Sequence, residues 1–100
     1  MKTLPIDLPK TEIHLFCQRH HIQRLSLFGS VLRDDFSPQS DIDVLVEFEL
    51  GKTPGLAIVR MQDELSYLFG RVVDLRTPAD LSRYFRDFVL QEAMVIYDQN

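Results

Sequence analysis

The sequence predicts an α/β fold, a small mixed β-sheet with helices packed mainly on one side, and three observations predict it. Apolar residues switch along the chain between helical spacing and short strand-type runs, in the order helix, strand, strand, helix, strand, helix, strand. Two of those runs, residues 25–28 and 41–48, flank a polar, turn-forming gap containing Asp34, Asp35, Ser37, Pro38 and Ser40, so the simplest pairing makes them neighbours. One hundred residues, 45% of them apolar, are enough to bury one core and too few for two, so a single domain over residues 1–100 is expected.

Taken in order, the first element is a helix over residues 9–20. Proline is tolerated in a first turn because the amide it lacks would be unpaired there, and Ile13, Phe16 and Cys17 fall on one face. His14, His20 and His21 lack a matching cysteine or carboxylate cluster and read as surface or boundary histidines. The two strands come next. Residues 49–55, with Gly51, Pro54 and Gly55, form a loop in which Lys52 reads as solvated, a phosphate contact being the less favoured alternative. A helix over residues 56–69 repeats Ile58, Met61, Leu65 and Leu68 at helical spacing, and Gly70 is placed to end it. Residues 71–76 are valine-rich and predict a third strand carrying Asp74. Thr77 and Pro78 then look like a cap and first-turn proline, with Asp80 favourable to the helix dipole. Helix is expected to residue 93 with a break at residues 84–86, and Val95, Ile96 and Tyr97 add a short last strand. Two readings are open for Tyr84, Phe85, Phe88 and Val89: core packing at helical spacing, or a docking surface.

The chemistry concentrates around the first two strands. Side chains alternate faces along a strand, so Asp41 and Asp43 point one way while Ile42, Val44, Val46 and Phe48 point the other. Like charges so close raise one another's pKa, and such a pair usually has a cation between or beside it. Carboxylate oxygens are hard ligands that match magnesium, manganese or calcium rather than zinc. The first strand ends in Gly29 and Ser30. Glycine lets backbone approach a ligand, and a short helix opening at Ser30 would offer free amides and a hydroxyl to phosphates. Alone, a glycine-serine pair marks a turn and an Asp-x-Asp a cap or solvated loop. Together, at the ends of adjacent strands, they suggest a nucleotide. Asp74, on a strand, needs a partner, and Arg71 and Arg76 are the arginines beside it. Glu47 shares the nominal face of Asp43 and is expected in solvent near the strand end.

Composition narrows the function. A net charge of -4 argues against a broad phosphate-binding surface, hence against stable nucleic-acid binding or a polymerase on long RNA or DNA. The lone Cys17 excludes an internal disulfide and is consistent with a reducing cytoplasm. Residues 1–9 lack a leader pattern, no apolar run is long enough for a membrane span, and there is no repeat, low-complexity segment or linker.

Gly29, Ser30, ten residues, Asp41, one residue, Asp43 resembles the signature of the nucleotidyltransferase superfamily of the DNA polymerase beta type. The continuation Ser40, Asp41, Ile42, Asp43, Val44, Leu45, Val46, Glu47, Phe48 is more similar still to the minimal nucleotidyltransferases of bacteria and archaea. The resemblance covers nearly the whole chain. Arg33 occupies the place of an arginine common in the family, and Asp34 stands where a glycine frequently follows. The resemblance implies a polymerase beta-like fold, ATP as substrate and two magnesium ions, or manganese, on Asp41, Asp43 and Asp74. Asp74 would also activate the attacking hydroxyl, and Gly29 and Ser30 would hold the outer phosphates. Arg33 would support the phosphate loop or form a salt bridge with Asp34, Asp35 or Asp41. Minimal nucleotidyltransferases typically pair with a HEPN ribonuclease toxin and silence it by transferring AMP to a tyrosine. The HEPN motif of arginine with histidine a few residues later is not evident here, so the resemblance implies the antitoxin, in a bacterial or archaeal cytoplasm. The alternatives are an antitoxin that only covers its partner and a small-molecule nucleotidyltransferase acting as a homodimer.

Overall fold

A computed structural model describes residues 4–99; residues 1–3 of the stretch read for a leader, and residue 100, lie outside them. The elements are α1 (Lys10–Arg19), β1 (Ile22–Phe28), a 3-10 turn (Gly29–Leu32), β2 (Ile42–Phe48), a 3-10 turn (Gly55–Ala57) leading into α2 (Ile58–Phe69), β3 (Val73–Arg76), a 3-10 turn (Pro78–Asp80), α3 (Arg86–Glu92) and β4 (Met94–Asp98). The sheet order is β3-β2-β1-β4. β1 runs antiparallel to β2 and to β4, whereas β2 and β3 are parallel. That parallel pair requires a crossover, and α2 provides it.

One face of the sheet carries the core. Ile13, Phe16 and Cys17 of α1 and Met61 and Leu65 of α2 are buried with Leu25, Leu27, Ile42, Val44, Val46, Val73 and Leu75 of the strands. Burying a leucine-sized side chain contributes about 1.5–3 kcal/mol, so this layer dominates stability. Burial also pushes the Cys17 thiol up to about 12, which keeps it protonated and inert. Gly70 ends α2 in the left-handed conformation, φ 68°, as its position in the sequence predicts. By strand alternation Asp43, Leu45 and Glu47 face away from this core. Leu45 and Leu81 are nevertheless buried, and neither belongs to the core cluster.

The structure differs from the sequence reading in two elements. β1 begins at Ile22, three residues before the apolar run, because Ile22 is buried opposite Phe48 and a register irregularity between Ile22 and Arg24 breaks the alternation. The expected last helix is one 3-10 turn, a bend and the short α3. Thr77 and Asp80 do form a capping box, with Asp80 Oδ2 accepting from the Thr77 amide at 3.0 Å and hydroxyl at 3.1 Å. Leu81 then turns extended and is buried, while Arg86 Nη2 donates to its carbonyl at 2.9 Å. Anchoring Leu81 interrupts the helix. Consequently Tyr84, Phe85 and Phe88 are exposed rather than packed in the core.

His14 and His21 are exposed and His20 is half-buried, the surface and boundary positions expected for them. His20 shares Glu64 with Arg19, at 3.1 and 2.6 Å, tying α1 to α2, and His14 meets the Tyr97 ring edge-on at 5.5 Å.

Candidate active site

The antiparallel register of β1 and β2 sets Phe28 opposite Asp43, so the chain leaves β1 directly beside that carboxylate. Gly29 turns there with φ +75°, and a Cβ built on it would collide with Asp43 Oδ2 and lie 3.1 Å from Asp43 Cγ. Only glycine satisfies both the backbone angle and the close approach. The chain then coils through Ser30, buries Val31 and closes with the Arg33 amide donating to the Ser30 carbonyl at 2.9 Å. Gly29 and Ser30 therefore form one tight turn against the acidic strand.

Asp41 is exposed immediately before β2, and Asp43 is half-buried within it. The parallel register places Asp74 beside Asp43. Burial, then the charges of Asp74 and Asp41, hold the Asp43 carboxyl above the usual carboxylate range, and Arg76 and Arg33 only partly offset them. Burial leads, and among the like charges Asp74 across the strand pair acts more strongly than Asp41 of the Asp-x-Asp spacing.

Asp74 has the arginine partner that a strand carboxylate needs, and it is Arg76 rather than Arg71. Asp74 adjoins Asp43, and Arg76 grips its carboxylate in a fork, Nε to Oδ1 at 3.1 Å and Nη2 to Oδ2 at 3.2 Å. Arg71 takes no part in that pair. Its Nη2 donates to the carbonyls of Ser37 and Ser40 at 2.7 and 2.8 Å, and its guanidinium lies over the Phe36 ring at 4.4 Å. Arg71 thus pins the loop that delivers Asp41, a role absent from the sequence reading. Arg33 takes the ion-pair alternative: exposed, it stands 3.5 Å from Asp35 Oδ1, while its charge still reaches Asp43. Glu47, expected in solvent, is half-buried with Arg24 Nη1 at 3.7 Å, because the two residues are register partners across β1 and β2. A cleft of about 200 Å³ lies between the Gly29 turn and α3, lined by Phe28, Gly29, Leu32, Arg33, Phe88, Val89 and Glu92.

The donor set is all oxygen and suits a hard divalent cation. Added positive charge would relieve the crowding of Asp43 by Asp74 and Asp41, so Asp41 and Asp43 fit such an ion. Among the described residues no three His, Cys, Asp or Glu side chains are gathered closely enough to enclose a metal.

The sequence profile of the nucleotidyltransferase domain matches residues 11–96. A candidate protein adenylyltransferase of Methanocaldococcus jannaschii is 40% identical over 76 residues, 76% of this chain and 81% of that protein. Protein adenylyltransferase MntA of Thermococcus cleftensis is 30% identical over 80 residues, 79% of either chain. Among solved structures, a candidate minimal nucleotidyltransferase superposes with a TM-score of 0.70 at 36% identity, covering 85% of this chain and 86% of that one. A tri-AMPylated Shewanella oneidensis HEPN toxin in complex with MNT antitoxin includes a chain that shares the fold, with a TM-score of 0.64 at 20% identity over 90% of this chain and 70% of that one.

Proposed function

This chain belongs to the nucleotidyltransferase domain family, and from that premise we propose that it is an antitoxin that transfers AMP from ATP to a tyrosine hydroxyl of a partner HEPN ribonuclease toxin. The observation that carries the reading is the packing of the Gly29 turn against Asp43 with Asp74 in register beside it. Phosphate-binding backbone and a charge-coupled acidic cluster then lie within one side chain's length. The named activity of the relatives and the HEPN partner of the structural neighbour support the same reading.

In this mechanism the backbone amides of the Gly29 turn and the Ser30 hydroxyl hold the outer phosphates. Asp41 and Asp43, joined by Asp74, would hold magnesium, which when bound supplies a lowered acceptor pKa and neutralises phosphate charge. The acceptor oxygen bonds to the α-phosphorus as the bond to the bridging oxygen breaks, and pyrophosphate leaves in line. Asp74 takes the hydroxyl proton. Arg76 holds that carboxylate in place until the acceptor arrives, and Arg33 adds positive charge beside the turn. Positioning and charge neutralisation do most of the work. Among the described residues no helix is long and apolar enough to cross a membrane, and a cytoplasmic setting with ATP at hand is part of the proposal.

The test is label transfer from α-phosphate-labelled ATP, with γ-labelled ATP as control, into protein of source-cell lysate with magnesium. Label from the α position alone, lost with Asp41→Asn, is the expected outcome and exposes the partner as a band. A co-purifying partner that stays unlabelled while ATP binds would replace the reading with a covering antitoxin. Labelling of a free alcohol without partner protein would replace it with small-molecule transfer.

A further inference from the structure

Resting on the nucleotide reading above, we propose that the cleft between the Gly29 turn and α3 receives the nucleobase, with Phe88 as the surface on which the base stacks. The cleft is continuous with the phosphate turn, since Gly29 and Arg33 belong to both. A nucleotide anchored there by its phosphates therefore has an adjoining place for its base. The walls are Phe28, Leu32, Phe88 and Val89, apolar and partly aromatic, and the polar groups are Arg33 and Glu92. That composition matches a flat heterocycle, apolar on its faces and polar on its edges. Its volume of about 200 Å³ is below the ~300 Å³ at which drug-sized pockets begin, so one base is the appropriate occupant.

Of the exposed aromatics Tyr84, Phe85 and Phe88, Phe88 is the one that lines this cleft. It is 64% exposed on α3, outside the core cluster, yet lines this cleft. A large aromatic surface left in water next to a phosphate turn gains by stacking on a base, and stacking tolerates every base because each has a π-face. Selection of one base then falls to the edge groups. The Glu92 carboxylate accepts hydrogen bonds, so it favours a base with an exocyclic amine over one with a carbonyl in that place.

The experiment is calorimetric titration of the full chain, wild type, Phe88→Ala and Phe88→Trp, with magnesium ATP and with magnesium tripolyphosphate, which has the phosphates and no base. The expected result is ATP affinity lowered about 5- to 100-fold by Phe88→Ala, kept by Phe88→Trp, and tripolyphosphate affinity equal in all three. Equal weakening of both ligands, or no change in either, overturns the cleft assignment and leaves the nucleotidyltransferase reading standing. A wild type that binds neither ligand overturns both. Because Phe88 lies outside the core, unfolding curves of the variants should match the wild type and exclude misfolding as a cause.

Discussion

At the start of β2, Asp43 is pressed by burial, by Asp74 and by Asp41, and its ionised form is disfavoured until positive charge arrives. A carboxyl whose folded-state pKa is raised stabilises the fold below its unfolded value of about 3.9 and loses that contribution as pH rises through the folded value. Ionised Asp43 therefore destabilises the free protein at neutral pH. The Asp43→Asn variant should melt higher than wild type at pH 7 without divalent ions, and the two should converge towards pH 4. Magnesium should raise the wild-type melting temperature and leave the variant's nearly unchanged. Thermal unfolding between pH 4 and 8 reads all three effects, and a variant that melts lower at pH 7 would remove this account. Strand alternation, a two-residue rule, turned Asp43 away from the apolar face of β2, whereas Asp41 lies just before the strand and outside that rule. The same rule decides between the candidate partners of Asp74: Arg76, two residues on, shares its face in β3, whereas Arg71 precedes the strand.

The loop between the Gly29 turn and β2 is held from outside itself. Arg71 bonds two of its carbonyls and stacks on Phe36, while Ser37 and Ser40 contact each other at 3.2 Å. Arg71→Ala should cost about 1–3 kcal/mol of stability, from a charged donor serving two acceptors. It should also lower label transfer, since the chain leading into Asp41 is freed. Lysine should rescue little, lacking the planar fork and stacking surface. Urea unfolding and the transfer assay separate the two consequences, and full activity in Arg71→Ala would show that the loop needs no anchor. Nothing in the sequence marks this anchor, because its acceptors are backbone carbonyls 34 and 31 residues away, which any residue possesses. α1 and α2 were legible from their apolar stripes, and β3 from its valine content. The segment after β3 was not, because Thr77 and Asp80 encode one capped turn, and the path of the chain beyond that turn depends on where Leu81 finds burial.

At the scale of the whole molecule, the catalytic proposal and the covering alternative separate cleanly. A chain with both Asp41→Ala and Asp43→Ala should still capture its partner from lysate yet fail to neutralise it in cells, and survival of neutralisation would favour the covering antitoxin. The sheet order adds a different consequence. β1 and β2 pair antiparallel across residues 29–41, whereas β2 and β3 pair parallel only after the longer crossover of residues 49–72 through α2. Non-local pairing is the slower contribution to folding. The phosphate turn and Asp43 thus come together with the first two strands, while Asp74 joins with the docking of β3. In stopped-flow folding, Val44→Ala should chiefly slow folding and Val73→Ala chiefly speed unfolding; the reverse pattern would show that β3 docks first. On this order of assembly the acidic cluster is complete only after β3 docks, so a half-folded chain has the Gly29 turn in place and lacks Asp74, the group proposed above to take the acceptor's proton.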